Sequence, residues 1–125
     1  MSLFDPSLRI LSHAMDVRLQ RQEVLSGNLA NVDTPRYQAR DVAFEESLQT
    51  AVSASAARQE SNEVSSFEFL HETAREAIQT KDTSGDLDST MAALSENAMS
   101  YAAATKTASK KLAILRYAAT DGSSG

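Results

Sequence analysis

The chain has 125 residues, with 12 Lys and Arg against 17 Asp and Glu, a net charge of −5, and neither cysteine nor tryptophan. That is one domain's worth of chain without the basic excess of a nucleic-acid binder, and without thiols it forms no disulfides or thiolate metal sites. Aromatics are 6% of residues and alanine is abundant, so little area is buried per residue and a large private core is not expected.

Residues 1–49 carry five bases against seven acids, 50–86 three against seven, and 87–125 four against three. The middle is therefore the solvated, self-repelling part, and the near-neutral ends can lie side by side at low Coulomb cost. The expected organisation follows the same division: 1–49 a helix with a corner motif, 50–86 a variable segment of linker and short helix, 87–125 a long helix with a flexible tail. No run of about 18 apolar residues exists to span a membrane. MSLFDPSLRI lacks a basic n-region followed by an apolar h-region, so no Sec-type signal is read there.

In chain order, Asp5-Pro6 predicts a helix start, Asp5 as cap and Pro6 at the first position, where its missing N–H costs nothing. Leu8, Leu11, Met15, Arg18, Gln22, Leu25, Leu29 and Val32 follow at alternating spacings of three and four, with Arg18 and Gln22 interrupting the apolar stripe. The helix is expected to end near Asn31, a residue that tolerates the left-handed conformation. Gly27 weakens the last turn by roughly 1 kcal/mol relative to alanine, and its missing side chain leaves room for a neighbouring backbone. Asp33-Thr34-Pro35 breaks the helix, and 37–42 reads as extended or loop-like.

Asp41 is placed to cap a short second helix with Phe44, Leu48 and Val52 on one face. The small, polar stretch 53–66 reads as linker or frayed helix. Ser65 with Glu68 forms a capping box for a helix whose apolar face is Phe67, Leu70, Ala74 and Ile78. Residues 83–86 form a turn. The last helix, 87–119, repeats Leu87, Met91, Leu94, Ala98, Tyr101, Thr105, Ala108, Leu112, Leu115 and Ala119 through more than four heptads. It would be roughly 50 Å long, which suggests an elongated all-α molecule.

Catalytic chemistry finds no support in this inventory. His13 and His71 are the only neutral-pH bases, and neither stands in a nucleophile or metal motif, so both read as surface or boundary residues. Asp86-Leu87-Asp88 lacks the further oxygen ligands of a calcium loop and is better read as a helix cap. Glu68, Glu72 and Glu76 form an acidic stripe, a solvated face by default and a docking face for a basic partner otherwise. The chain reads as one that binds and assembles, with no enzymatic activity and no cofactor.

Two heptad stripes can form a private antiparallel hairpin with the middle helix alongside. The C-terminal stripe is rich in small residues, Ala98, Thr105, Ala108 and Ala119. A buried alanine contributes well under the roughly 1.5–3 kcal/mol of a leucine, against an ordering cost of about 1–2 kcal/mol per residue. The terminal helices are therefore expected to fold fully only among other copies. A free-standing coiled-coil adaptor or type III secretion chaperone, using the acidic middle to hold a basic partner, is the alternative.

The segment SGNLANVDTPRYQARDVAF resembles the S-x-N-L-A-N signature and following turn of the bacterial flagellar rod, hook and hook-filament axial proteins. Its D-T-P-x-Y-x-A-R-D-V-x-F continuation is similar to proximal-rod members. Gly85-Asp86-Leu87-Asp88 with the long helix after it is similar to the family's C-terminal part. Arg36 stands where glycine is common in the family, so positive φ is not expected there, and Thr90 stands in place of a common glutamate. Residues 53–82 match no part of the family pattern.

The resemblance implies an all-α subunit of a helical tube, lined by long N- and C-terminal helices in a coiled-coil-like bundle and transmitting motor torque through the periplasm. It implies export by the flagellar type III apparatus without a cleaved signal, with Leu3 and Phe4 as candidate export determinants. The implied partners are other copies, the rod-base adaptor FliE and the rod subunit FlgC. Asn28, Asn31, Asp33, Thr34, Pro35, Tyr37, Arg40, Asp41 and Phe44 would form the family corner, a rigid bend in which Tyr37, Val42 and Phe44 dock against a neighbour. Leu8, Leu11, Met15, Leu25, Leu29, Met91, Leu94, Ala98, Tyr101, Ala108, Leu112 and Leu115 would carry assembly contacts.

Overall fold

A computed structural model describes residues 6–60 and 67–123. Asp5, Leu3 and Phe4, and the capping Ser65, lie outside these residues. The elements in order are α1 (Pro6–Ala30), β1 (Arg40–Val42), α2 (Phe44–Glu60), α3 (Phe67–Glu76), β2 (Thr80–Asp82) and α4 (Leu87–Ser123). The all-α class stands, with one small antiparallel strand pair added, Arg40 opposite Asp82 and Val42 opposite Thr80.

α1 is the spine. α4 lies along one side of it, antiparallel, since Arg18 meets Asn97 while Ser7 meets Lys111. α2, α3 and β1 contact α1 as well, and His13, Val17, Leu25 and Asn28 are buried along it. Between α2 and α3 the core is made of alanines, Ala51, Ala74 and Ala77, whose small side chains let the helix backbones approach closely.

Several expectations change. α2 runs on to Glu60 and takes in much of the stretch read as linker. Asp41 lies in β1 and does not cap α2; the first turn closes on the Ala43 carbonyl, which accepts from Ser47 N at 2.9 Å, with Glu45 and Glu46 favourably placed in that turn. α3 ends at Glu76, so Ile78 falls beyond it, while Leu70, Thr73, Ala74 and Ala77 are the buried positions. Residues 80–82 pair as a strand, which nothing in their composition announces.

α4 extends past Ala119 to Ser123, about 55 Å in all. Asp86 caps it, accepting from Asp88 N at 3.3 Å and Ser89 N at 3.1 Å. The bond to the Ser89 side chain, then that to its amide, hold the Asp86 carboxyl below its ordinary pKa. Gly85, just before this cap, lies against β1. A Cβ there would sit 3.2 Å from the Ala39 Cβ, tighter than nearly all real contacts.

Candidate functional site

The corner between α1 and β1 is built on Arg21 and Asn28 of α1 and on Asn31 just past its end. Asn31 closes the helix twice over: its backbone N donates to the Gly27 carbonyl at 3.1 Å and its Nδ2 to the same oxygen at 2.9 Å. Thr34 continues the turn, with Oγ1 donating to Asn31 Oδ1 at 3.1 Å and N to Asn31 O at 3.0 Å. The side-chain bond of the turn thus joins Asn31 and Thr34.

Helix termination does not use a left-handed Asn31. Among the described residues the positive φ belongs to Arg36, at 66°. This overturns the expectation that the arginine relieves the turn of that need. Pro35 fixes the approach, Arg36 makes the left-handed step, and the chain heads back along α1. Tyr37 is 41% exposed, and its hydroxyl donates to Asn28 Oδ1 at 3.4 Å. A Cβ on Gly27 would meet this hydroxyl at 3.7 Å, an ordinary contact, so Gly27 faces a side chain and not a backbone.

Asn28, 2% exposed, is the centre of the corner. Its Nδ2 donates to the Arg40 carbonyl at 2.6 Å, and its Oδ1 accepts from Arg40 N at 3.2 Å. A side-chain amide presents one donor and one acceptor as a peptide does, so Asn28 acts as a third strand for β1. Two helical turns earlier, the Arg21 guanidinium grips Asp41 with both arms, Nε to Oδ1 at 2.9 Å and Nη2 to Oδ2 at 3.1 Å. Their side chains are only 13% and 12% exposed, and the bond to Asp41 raises the Arg21 pKa. Asp41 Oδ1 also accepts from Val42 N at 2.7 Å. On the outer face, Arg40 reaches Asp82 at 2.5 Å and Thr80 at 2.8 Å, an exposed arrangement of small energetic weight.

Val42 is 2% exposed and is spent inside the chain, so it is not free to dock against a neighbour. Phe44 is half-buried with the Arg18 guanidinium 4.1 Å over its ring. Burial, and next the charge of Arg21, lower the Arg18 pKa.

The second element of the site is the α1–α4 seam. Arg18 and Gln22 interrupt the apolar stripe because they meet a polar partner: Asn97, 1% exposed, donates Nδ2 to Arg18 O and to Gln22 Oε1, both at 2.8 Å. On α4 the positions turned to α1 are Thr90, Leu94, Asn97, Tyr101, Ala104, Ala108, Lys111 and Leu115. Of the ten positions of the expected stripe, four are among them: Leu94, Tyr101, Ala108 and Leu115. Met91, Ala98, Thr105 and Leu112 stand one residue further round and are exposed.

On α1, Leu8 and Leu25 are buried, Leu11, Met15 and Leu29 half-buried, and Val32 exposed. An apolar groove of about 270 Å³ remains between the helices, bounded by Leu8, Met15, Leu19, Tyr101, Ala108 and Leu112. Beyond Lys111, which meets Ser7, α4 exposes Ile114 and Tyr117.

Sequence reasoning missed Asn97, the Arg21–Asp41 pair and the burial of His13, which is fully enclosed rather than at a boundary. The signal for Asn97 was present: two polar interruptions on one stripe call for a polar group opposite. His71 is exposed and bonded to Asp16 at 2.8 Å. Among the described residues no cluster of His, Asp and Glu gathers to hold a metal, and no helix is long and apolar enough to cross a membrane. The groups brought together here position backbone and bury side chains.

The family described as flagella basal body rod protein matches residues 8–38, α1 and the turn after it. A protein named flagellar basal body rod protein FlgB from Yersinia ruckeri is 53% identical over 45 residues, 36% of this chain and 33% of that protein. Its namesake from Escherichia coli K12 is 54% identical over 44 residues, 35% of this chain and 32% of that protein. These matches span about a third of each relative. The FlgB of Bacillus subtilis aligns over 98% of this chain and 99% of its own length at 27% identity, so the likeness extends beyond the corner through the middle segment and α4. The chain is thus similar to flagellar basal body rod proteins, strongly over α1 and the corner and more weakly over its whole length.

Proposed function

We propose that this chain is a structural subunit of the proximal rod of the bacterial flagellar basal body, binding other copies and other rod proteins to build the axial tube. The observation that carries this reading is the divided stripe of α4. One edge, Leu94, Tyr101 and Ala108, is half-buried on α1; the other, Leu87, Met91 and Ala98, is open, with Leu112 40% exposed at the rim of the groove. A heptad repeat with one edge covered is matched to a second helix.

In the tube, the rigid corner fixes the angle between α1 and the segment that follows, as a part that passes on torque requires. FlgC and FliE are the neighbours the family resemblance implies, and export through the flagellar type III apparatus into the periplasmic space is the implied route.

Leu112→Asp tests this directly. Leu112 is 40% exposed, so the charge is tolerated in the free subunit, whose circular dichroism should change little. Incorporation into basal bodies should be lost. Normal incorporation, or a large loss of helicity in the isolated variant, would defeat the reading. A compact stable oligomer in light scattering would favour the chaperone alternative.

A further inference from the structure

His13 is fully buried between α1 and α2. Its Nε2 lies 3.0 Å from Ser55 Oγ, and Ser55 Oγ donates to the Val52 carbonyl at 3.1 Å. A hydroxyl has one hydrogen, so the imidazole must supply the proton of the His13–Ser55 bond from Nε2. The neutral ring then has a bare lone pair at Nδ1, and Nδ1 is buried without a hydrogen-bond partner. Protonation there would create a charge out of reach of water and a donor with no acceptor, each unfavourable.

The groups around the ring do little to offset this. Burial is the largest influence on His13 and lowers its pKa; Asp16 raises it and Arg9 lowers it, both from α1 itself. α2 presents the uncharged Ser55 hydroxyl. α3 presents His71, whose Nδ1 is 2.8 Å from Asp16 Oδ1, with side chains 51% and 14% exposed. Among the described residues no charge of α2 or α4 acts on the ring. α1 thus meets α2 through one histidine and α3 through another.

We propose that His13 is an acid-sensitive latch, in which protonation of the ring releases α2 from α1. The folded pKa of His13 is depressed, so the undocked state takes the proton more readily. Docking of α2 is complete above the free-histidine value of about 6.5 and is lost as pH falls through the interval below it. The device is a property of the single chain and holds whether or not copies assemble.

Amide exchange on the full chain tests it, expressed as protection relative to intrinsic rates. Between pH 7.5 and pH 5, protection in α2 around Ala51 and Ser55 should fall. His13→Gln retains a donor toward Ser55 and does not titrate, so it should lose the pH difference. Ser55→Ala should lower protection at both pH values and keep the difference.

A nitrogen-resolved NMR titration of the His13 ring in the native chain decides the matter if His13→Gln does not fold: the ring should be neutral and Nε2-protonated at pH 6.5. Half-titration at or above 6.5, α2 protection unchanged between the two pH values, or a full pH response in His13→Gln would each overturn the latch.

Discussion

α1 and α4 show similar heptad stripes in the sequence, yet they are held in different ways. α1 is wrapped by its own chain: α4 on one side, α2 and α3 on others, and β1 clasped by Asn28 and Arg21. Leu8, Val17 and Leu25 are buried there, each contributing about 1.5–3 kcal/mol. α4 leans on α1, and its buried residues, Thr90 and Asn97, are polar. Two helices of similar period can therefore be enclosed by their own chain to very different degrees. What differs is how many faces find a partner in the same chain: several on α1, and one on α4.

The largest effect should come from breaking the hold on α1. Asp41→Ala strips Arg21 of its bidentate partner and Val42 N of its acceptor, leaving a largely enclosed guanidinium uncompensated. A loss of about 3 kcal/mol in urea unfolding is expected, together with loss of the β1–β2 pair. A loss under about 1 kcal/mol, the range of exposed pairs, would mean that the pair is solvated and α1 is held less firmly by the corner than the geometry implies.

The matching perturbation on α4 is Asn97→Ala. It deletes two hydrogen bonds to α1 and should cost about 1–2 kcal/mol. Its effect should be confined to α4, seen as faster amide exchange in 90–115 with α1 and α2 unchanged. A buried asparagine in a heptad seam also fixes register, so cysteines placed at Ser7 and Lys111, which meet in the native protein, should crosslink less selectively in this variant. If exchange rises equally in α1 and α4, the two helices form one cooperative unit and the contrast between them fails.

The parts legible in the sequence are those governed by local chemistry. Pro6 and Asn31 bracket α1 closely, and the period of α4 is plain from Leu87 onward. Which edge of that repeat faces inward could not be read, because it is chosen by Asn97 meeting Arg18 and Gln22, residues more than 70 positions away. The burial of His13 likewise depends on Ser55, 42 residues on. Strands of three residues show no alternation to detect, and β1 looked merely extended because its partner sits 40 residues downstream. At the corner the motif residues were legible, but Asp41 was assigned to a cap since nothing local reveals Arg21 as its partner.

The smallest expected effect sits between the two helices, at Arg36. Its φ of 66° costs an L-residue about 1–2 kcal/mol, and glycine would remove that strain at an entropic cost of about 0.5–1 kcal/mol in the unfolded chain. Arg36→Gly should therefore stabilise the protein by about 0.5 kcal/mol, measured as a higher urea midpoint with unchanged slope. The gain should appear in the unfolding of α1 and β1, which the turn joins, and not in the exchange of α4. Destabilisation instead would show that the arginine side chain contributes more to the folded corner than its backbone strain takes away, and the turn would then owe its shape to Arg36 as much as to Asn31 and Pro35.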